Sequence, residues 1–249
     1  MKRLEGKTAF ITGGGAGLGR AMALAFAREG AVVGVADIDE AAAMATAAEA
    51  GNDSLGYACD VSRRDQVRQA VDDFATRAGG LDILVNNAVA FHYAPLVDMP
   101  EEVIDRMLDV GIKGTYWALQ AATPHLVARG GGASVINLSS VAVSFAIKNA
   151  AVYSSIKGAI DTLTRQQACE LGPQGVRVNA LAPGPVETPG ASAVIDEAGW
   201  AARRARTPIR RLATAEDVAE AAVFLASAQA QSIAGVTLKI DGGVTVAGP

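Results

Sequence analysis

The chain has 249 residues, half of them hydrophobic, and 22 Lys and Arg against 26 Asp and Glu give it a net charge of −4. This balance excludes an extended nucleic-acid surface, which needs clustered basic residues. No apolar run reaches the roughly 18 residues that span a bilayer. Because Gly and Pro are scattered rather than collected in a linker, we expect one domain over residues 1–249.

Two further features bear on compartment and chemistry. Cys59 and Cys169 are far apart and no signal peptide precedes them, so we expect reduced thiols in a cytoplasmic protein. The only histidines, His92 and His125, have no Cys or His at ligand spacing, so we expect no metal.

Short apolar segments alternate with longer amphipathic ones, which is typical of repeated βα units. We predict strands at Thr8–Thr12, Ala31–Ala36, Ser54–Ala58, Ile83–Asn86, Ser134–Leu138, Val176–Ala180 and Val236–Lys239. We predict helices near Gly17–Glu29, Asp39–Ala50, Arg63–Ala78, Glu101–Val127, Val152–Leu171 and Ala215–Ala226. Asp39 and Ser62 resemble N-caps, and Gly51 and Gly172 resemble terminators. Right-handed crossovers then give a doubly wound α/β sheet with a crevice at the carboxyl ends of its strands.

A glycine-rich loop runs from the first predicted strand into the first helix. Gly13 suits the tight turn, Gly17 lets the backbone approach a pyrophosphate, and Gly19 permits close packing of the helix. The free N–H groups of the helix N-terminus would bind the phosphates. A plain tight loop is the alternative, but its place directly after the first strand favours a nucleotide site.

The second predicted strand ends at Asp37, with Ile38 next. A carboxylate there accepts hydrogen bonds from ribose hydroxyls and repels a 2′-phosphate, although Asp37 could instead cap the next helix. Arg20 is the one basic residue close by in sequence, and it lies in the opening of the first helix. The pattern therefore favours NAD over NADP.

Two later strand ends are more ambiguous. Asp60 and Val61 follow the third strand, where Asp60 either hydrogen-bonds the adenine edge or serves as a turn residue. Asn87 and Ala88 follow the fourth strand, where they either line a cofactor wall or form an ordinary turn.

Tyr153 and Lys157 are four residues apart on a predicted helix and so share one face. A phenol with an ordinary pKa near 10 needs a neighbouring cation to act as a base at neutral pH. Ser140 ends the fifth strand, where its hydroxyl could hold a substrate oxygen. Alone, the Tyr/Lys pair could be an amphipathic helix with a snorkelling lysine; together with the glycine loop and Asp37 it indicates a catalytic site.

The whole chain resembles the short-chain dehydrogenase/reductase (SDR) family. The residues that carry the resemblance are Thr12–Gly19, Asp60, Asn86-Asn87-Ala88, Ser140, Tyr153 with Lys157, Asn179 through Pro183-Gly184, Thr188 and Asp241-Gly242-Gly243. The resemblance implies a single doubly wound (Rossmann) domain, in which a seven-stranded parallel sheet is flanked by helices. It also implies a homo-oligomer, a tetramer or a dimer, that pairs the helices containing Leu108–Val127 and Val152–Leu171.

The resemblance further implies a role for each matching residue. Tyr153 would be the general acid–base, Ser140 would position the carbonyl or alcohol, and Lys157 would bind the nicotinamide ribose and lower the pKa of Tyr153. Pro183, Gly184 and Val186 would contact the nicotinamide, Thr188 would lie near its carboxamide or the phosphates, and Asn87 would border a ribose. The expected NAD-binding set is Gly13, Gly15, Ala16, Gly17, Leu18, Gly19, Asp37, Ile38, Asp60, Val61, Asn87, Ala88, Tyr153, Lys157, Pro183, Gly184, Val186 and Thr188.

The sequence departs from the family pattern at two positions. Val89 replaces the glycine of Asn-Asn-Ala-Gly, and Gly111 stands where the family has its fourth catalytic residue, an asparagine that helps to hold a water linking the lysine to solvent. Glycine keeps the backbone carbonyl and tolerates a bent helix. We therefore predict a working enzyme with a modified proton exit route.

Loops after the strands usually supply the substrate contacts. Here their apolar and aromatic members are Val89, Phe91, His92, Val143, Phe145, Val194, Ile195 and Trp200. Residues 186–206 resemble a mobile lid, with Gly190 and Gly199 bracketing a short helix, and the basic stretch Arg203–Arg211 suggests a solvated helix face.

The prediction is an NAD-dependent oxidoreductase that interconverts a secondary alcohol and a ketone on a small, hydrophobic cyclic or aryl substrate, with neither nucleic acid nor a membrane as a partner. The alternatives are an NADP-dependent ketone reductase and a non-catalytic nucleotide-binding module.

Overall fold

A seven-stranded, wholly parallel sheet organises the chain, whose computed structural model describes residues 2–192 and 195–247. The strands are β1 (Thr8–Thr12), β2 (Val32–Asp37), β3 (Leu55–Ala58), β4 (Ile83–Asn86), β5 (Ala133–Leu138), β6 (Val176–Pro183) and β7 (Thr237–Ile240). Their order across the sheet is β3-β2-β1-β4-β5-β6-β7. The winding therefore reverses between β1 and β4, and the predicted doubly wound α/β class is confirmed.

Helices connect the strands and cover both faces of the sheet. They are α1 (Gly17–Arg28), α2 (Glu40–Ala50), α3 (Arg64–Arg77), α4 (Glu101–Leu108), α5 (Gly114–Ala128), α6 (Ala151–Leu171), α7 (Pro189–Ser192), α8 (Glu197–Arg206) and α9 (Ala215–Ala226). A single turn of π-helix, Asp109–Lys113, joins α4 to α5.

Two apolar layers hold the sheet between its helices. On one face, residues of α1, α2 and α9 pack against alternate residues of the strands, such as Ile11 and Val85. On the other face, α3 and α5 pack against Phe10, Leu84 and Val135. Because helices cover both faces, β1, β4 and β5 are buried along their whole length. This explains why these strands are nearly continuously apolar in sequence.

Several local predictions need correction. Ser62 is not the N-cap of α3, because its hydroxyl donates to Asp60 Oδ1 at 2.7 Å and the helix begins two residues later. The predicted helix Glu101–Val127 is interrupted by the π turn, and β6 continues past Ala180 to Pro183. By contrast, Asp39 does cap α2, since its carboxylate accepts from Ala42 N at 3.0 Å.

The predicted lid also differs in detail. Gly190 lies inside α7 and Gly199 inside α8, so the two glycines do not bracket a helix. The sequence interpretation of Val194 lies outside the described residues.

Within residues 2–192 and 195–247, none of the helices combines the length and apolarity of a membrane span. In the same part of the chain, no three His, Cys, Asp or Glu side chains are grouped as metal ligands would be.

Candidate active site

The glycine loop packs so tightly that side chains are excluded from it. Gly13 has a φ of +64°, and a Cβ on it would lie 2.8 Å from the Ala88 Cα. A Cβ on Gly19 would lie 2.0 Å from the Gly13 carbonyl oxygen. The first turn of α1 is therefore pressed directly onto the loop that follows β1, as the sequence predicts for Gly19.

Asn87 fixes this loop to the end of β4. Its side-chain amide donates to the carbonyls of Thr12 at 3.0 Å and Gly13 at 2.8 Å. The backbone N–H groups of Asn87 and Ala88 both donate to the Thr12 hydroxyl, at 3.1 and 3.2 Å. The Asn87 nitrogen is thus committed to holding the loop, and only its carbonyl oxygen remains to face a ribose.

The N-terminus of α1 has the form of an anion site. Ala16 occupies the N-cap position and no side chain caps the helix, so the first N–H groups of Gly17, Leu18 and Gly19 have no side-chain acceptor. Thr188 lies beside Gly17, because a Cβ on that glycine would be 3.7 Å from the Thr188 Cβ. A glycine cradle that a Cβ would fill, leading into an uncapped helix, fits a dinucleotide pyrophosphate.

Asp37 ends β2 and lies against the same loop. Its carboxylate accepts hydrogen bonds from Gly15 N at 2.9 Å and from Asp39 N at 3.1 Å. The carboxylate is thereby held at the rim of the cradle, with exposed Ile38 beside it. Arg20 pairs with Glu49 on the exposed surface.

Asp60 has a demonstrable role in the turn after β3. Its Oδ1 accepts from Ser62 N and Ser62 Oγ, and its carboxylate pairs with Arg106 at 3.1 Å. Burial would raise the pKa of Asp60, but the Ser62 hydrogen bonds and Arg106 outweigh it and lower the pKa. Neighbouring Val61 is buried against Gly114. The adenine contact of Asp60 stays a prediction.

Three predicted catalytic side chains converge where β5 meets α6. Val152, Ile156 and Ile160 bury one stripe of α6, and Tyr153 and Lys157 flank that stripe one turn apart. The Lys157 Nζ lies 5.7 Å from the centre of the Tyr153 ring and donates to the Leu138 carbonyl at 2.7 Å.

Ser140, two residues after Leu138, completes this group. Its buried hydroxyl accepts from Ala142 N at 3.1 Å, and Ser140 is close enough to Tyr153 to lower the pKa of that phenol. Ser139 Oγ donates to the Lys157 carbonyl, which ties α6 to the end of β5. The phenol, the ammonium and the serine hydroxyl therefore share one side of the crevice.

Burial acts against charge at both ionisable members of the group. It raises the pKa of Tyr153 above its ordinary 10, while the interaction with Ser140 lowers it to a smaller extent. Burial also lowers the pKa of Lys157 from 10.5 to about 8. At neutral pH the lysine is still a cation, so it can stabilise a phenolate beside it.

The segment after β6 is held by contacts with the end of β7 and with Ala213. Gly184 N donates to the Ile240 carbonyl at 3.0 Å, and a Cβ on Gly184 would lie 3.0 Å from the Asp241 Cα. Pro183 is the last residue of β6, and buried Val186 bridges to Ala213. These contacts fix the backbone that the sequence predicts to face the nicotinamide.

Gly111 lies in the π turn, packed against the helix that carries the catalytic pair. A Cβ there would be 2.6 Å from Ile156 Cγ2. The Gly111 carbonyl accepts from the Thr115 hydroxyl at 3.0 Å. The missing side chain thus lets the α4–α5 connection approach α6 more closely than an asparagine would.

Two features were missed by the sequence interpretation. Tyr93 packs edge-on against Tyr153, with 5.7 Å between ring centroids and 85° between planes. Asn86 donates to Asn137 Oδ1 at 2.8 Å, and Asn137 donates to Thr164 Oγ1 at 3.0 Å, which links β4, β5 and α6. An amide inside the apolar segment of β5 was the available signal for this chain of hydrogen bonds.

The expected substrate wall is partly formed. Its exposed apolar or aromatic members are Val89, Phe91, Val143 and Phe145, and Tyr93, which the sequence prediction did not include, packs beside Phe91. His92 is exposed and Ile195 is half-buried, whereas Trp200 is buried, with the Arg203 guanidinium 5.8 Å from the centre of its ring.

Comparison with known proteins identifies the family. Residues 13–245 match the family described as enoyl-(acyl carrier protein) reductase. The chain is 39% identical over 251 residues to sorbitol dehydrogenase of Cereibacter sphaeroides, which covers 97% of this chain and 98% of the relative.

Two solved structures superpose closely. One is a 7α-hydroxysteroid dehydrogenase complexed with NADH and 7-oxo glycochenodeoxycholic acid, at 34% identity and a TM-score of 0.93, covering 97% of this chain and 95% of that one. The other is a short-chain dehydrogenase from Burkholderia cenocepacia in complex with NADP, at 36% identity and a TM-score of 0.92, covering 98% and 100%. The chain belongs to the short-chain dehydrogenase/reductase family and is an oxidoreductase of that type.

Proposed function

We propose that the protein is an NAD(H)-dependent oxidoreductase that interconverts a secondary alcohol and its ketone. The observation that carries this proposal is the convergence of Ser140, Tyr153 and Lys157 on one side of a crevice whose other side is an uncapped glycine cradle. When bound, the nicotinamide accepts or donates the hydride and, in its oxidised form, brings a positive charge.

Each member of the group has a distinct task. In alcohol oxidation the Tyr153 phenolate removes the hydroxyl proton, and in ketone reduction its phenol returns it. The Ser140 hydroxyl donates a hydrogen bond to the substrate oxygen and holds it against Tyr153. The Lys157 ammonium stabilises the phenolate, which offsets the burial that otherwise raises the Tyr153 pKa.

NAD is preferred because of the charge at the cradle rim. The Asp37 carboxylate is oriented by Gly15 N and would accept hydrogen bonds from the ribose hydroxyls while repelling a 2′-phosphate. Arg20, the basic residue close by in sequence, pairs with Glu49 rather than with Asp37. NADP is the alternative, since one solved relative holds NADH and another NADP.

The proposed substrate is an apolar cyclic or aryl secondary alcohol or ketone. Phe91 and Tyr93 form an exposed aromatic wall that leads to Tyr153, with 5.8 Å between the Phe91 and Tyr93 centroids. The steroid ligand named for one solved relative agrees with such a wall. A polyol is the second candidate, because a 39% identical relative is named a sorbitol dehydrogenase.

We also propose that the chain is one catalytic domain, that residues 186–206 act as a lid, and that the protein forms a homo-oligomer. Exposed Val236 and Leu238 at the β7 edge and Tyr116 on α5 support an interface between copies. Light scattering of the purified protein tests the assembly, and a monomer at micromolar concentration would contradict it.

Formation of NADH tests the activity and the cofactor preference together. Purified protein is assayed with NAD or NADP and a panel of aryl, alicyclic, steroid and polyol alcohols. We expect the highest kcat/KM with NAD and an apolar cyclic alcohol, and we expect Asp37→Ala to erode the NAD preference.

Asp39→Ala is the matched control for the cofactor test, because Asp39 caps α2 two residues away without reaching the cradle. It should cost about 1 kcal/mol of stability and leave the cofactor ratio unchanged. A wild-type preference for NADP, or equal effects of the two variants on the ratio, would contradict the NAD assignment. Binding of NADH with no turnover of any alcohol would favour a non-catalytic module.

A further inference from the structure

Tyr93 belongs to the irregular segment between β4 and α4, and its ring packs directly against the catalytic phenol. The centroids of the Tyr93 and Tyr153 rings are 5.7 Å apart, and the two ring planes meet at 85°. Aromatic pairs favour this edge-to-face geometry, because the positive edge of one ring meets the negative face of the other. The pair therefore joins a loop residue to the helix that carries the acid–base.

The segment around Tyr93 is fixed to α6 on both sides of the ring. Ala90 and Ala94 pack against the same apolar cluster as Tyr153, whose buried members on α6 are Val152, Ile156 and Ile160. Ala94 N also donates to the Asn149 carbonyl at 3.0 Å, two residues before α6 begins. Tyr93 therefore has a defined position relative to the first turn of α6 before any substrate binds.

The plane of the Tyr153 ring decides the direction in which its hydroxyl exchanges a proton. Conjugation keeps the O–H of a phenol in the plane of the ring, so a turn of the ring also turns the O–H and the in-plane lone pair. The torsion that sets this plane, χ2, is broad in a tyrosine and is not fixed by the helix backbone. Neighbouring side chains must therefore restrain the ring, and the edge-on contact with Tyr93 provides such a restraint.

Tyr93 does not compete with Tyr153 for the role of base. Burial and, to a smaller extent, the neighbouring Tyr153 raise the pKa of Tyr93 to about 12. The cation of the site, Lys157, lies on the same helix as Tyr153 and 5.7 Å from the centre of its ring. At neutral pH Tyr93 is an uncharged phenol, and its influence on proton transfer runs through the placement of Tyr153.

We propose that Tyr93 is a positioning residue for the acid–base, whose ring fixes the plane of the Tyr153 phenol and with it the direction of proton transfer. This inference rests on the proposed function, in which Tyr153 exchanges a proton with the substrate oxygen. It gives Tyr93 a task besides that of the aromatic wall. Loss of the ring should slow the chemical step, whereas the loss of a residue that belongs to the wall alone would change only the affinity for substrate.

The kinetic test separates the chemical step from substrate binding. The single-turnover rate of NADH formation is followed by stopped-flow absorbance, with the best alcohol from the panel at saturating concentration. Tyr93→Leu removes the ring but keeps an apolar side chain, and we expect it to slow this rate about tenfold, because small misplacements of a catalytic group have large kinetic effects. Tyr93→Phe keeps the ring and its packing, so it should retain the wild-type rate within about twofold.

Two further variants separate the ring from the loop that carries it. Leu96→Ala is the matched control, because it removes an exposed apolar side chain from the same segment and should retain the wild-type rate. Tyr93→Met is a second way to remove the ring, with a flexible side chain that fills irregular gaps, and it should be as slow as Tyr93→Leu. Unchanged melting temperatures would show that α6 and the segment remain packed.

The outcomes distinguish this inference from the function on which it rests. A higher KM with an unchanged single-turnover rate in Tyr93→Leu and Tyr93→Met would assign Tyr93 to the wall alone and overturn the proposal. A Tyr93→Phe protein as slow as Tyr93→Leu would also overturn it, since the hydroxyl rather than the ring would then carry the effect, and so would an equally slow Leu96→Ala protein. No NADH formation by the wild type with any alcohol would instead contradict the proposed function itself.

Discussion

Replacing Lys157 with methionine should stabilise the cofactor-free protein while removing its activity. The lysine is 6% exposed, and its ammonium has one hydrogen bond, to the Leu138 carbonyl, and no acidic partner among the described residues. Methionine has a similar length without the charge, so the variant keeps most of the packing of α6 against the sheet.

The size of the effect follows from the lysine pKa. Burial lowers it from 10.5 to about 8, and at about 1.36 kcal/mol per pKa unit this corresponds to about 3 kcal/mol against the charged folded state. Loss of the hydrogen bond to Leu138 offsets about 1 kcal/mol. We therefore expect Lys157→Met to raise the free energy of unfolding by about 2 kcal/mol at pH 7.

The pH dependence gives the effect a signature. Below pH 8 the lysine is protonated in both folded and unfolded states, so the full penalty for burying the charge is present. Between about 8 and 10.5 the unfolded chain binds more protons than the folded one, so wild-type stability rises with pH. Above 10.5 the penalty is gone, and the advantage of the variant should disappear.

Urea unfolding at pH 7 and at pH 10 measures both parts of this prediction. Lys148→Met is the matched control, since Lys148 is an exposed lysine just before α6, and its replacement should change stability by less than about 0.5 kcal/mol. A Lys157→Met protein that is less stable than the wild type at pH 7 would refute the reasoning. So would an advantage that does not shrink between pH 8 and 10.

The remaining predictions concern packing and charge. Gly111→Ala should lower the free energy of unfolding by about 1–3 kcal/mol in urea, because its Cβ would lie 2.6 Å from Ile156 Cγ2. Gly111→Asn tests the proton route, with Gly111→Ala as its control for the steric effect. Identical pH–rate profiles for the wild type and both variants would exclude an altered relay. Gly19→Ala should weaken NADH binding by about tenfold or more, because its Cβ would lie 2.0 Å from the Gly13 carbonyl oxygen and displace the loop. Fluorescence titration measures the Kd. An unchanged Kd would contradict the assignment of the glycine loop as the cofactor site. Asp82→Ala should cost about 3 kcal/mol at pH 7, because it breaks a buried ion pair. Burial would raise the pKa of Asp82, but Lys7 and Arg129 outweigh it and lower the pKa below the ordinary 3.8. The Asp82 carboxylate therefore stabilises the fold fully above pH 3.8, and this stabilisation is lost as the pH falls further. Stability curves of the wild type and the variant that run parallel below about pH 4 would contradict this pH dependence.

Much of the fold follows from the sequence because the strands are covered on both faces. Continuous apolar segments such as Thr8–Thr12 and Ile83–Asn86 have the predicted bounds to the residue, since the glycine or asparagine that follows ends each strand. The limits of β6 were less predictable. Its extension to Pro183 depends on pairing with β7, which no local pattern reveals.

The errors have local physical causes. Ser62 is a favourable N-cap residue by propensity, but its hydroxyl donates a hydrogen bond to the Asp60 carboxylate instead of capping α3. The π turn at Asp109–Lys113 has no hydrophobic periodicity that would reveal it in the sequence. It contains Gly111, which contacts α6 so closely that a side chain there would collide with Ile156. Tyr93 was missed because an aromatic residue in an irregular loop has no periodicity that would place it against Tyr153.

The catalytic pair itself was predictable because its geometry is helical. A spacing of four residues sets Tyr153 and Lys157 on one face of α6 whatever the rest of the chain does. The charge environment was not predictable, because the burial that lowers the Lys157 pKa comes from tertiary packing, in which the Lys157 ammonium lies against the Leu138 carbonyl of β5. Likewise, only the contacts of α8 show that Arg204 pairs with Glu187 and Glu197, whereas Arg203 lies over the ring of Trp200.

The most direct test of Tyr153 as the acid–base is the rate of NADH formation by Tyr153→Phe on the best alcohol from the panel. The phenyl ring keeps the packing against Tyr93, so the melting temperature should be unchanged while kcat falls about 10²–10⁴-fold. Tyr116→Phe, an exposed tyrosine on α5, should retain the wild-type kcat. A Tyr153→Phe protein that keeps more than about a tenth of the wild-type kcat would contradict the role assigned to this phenol.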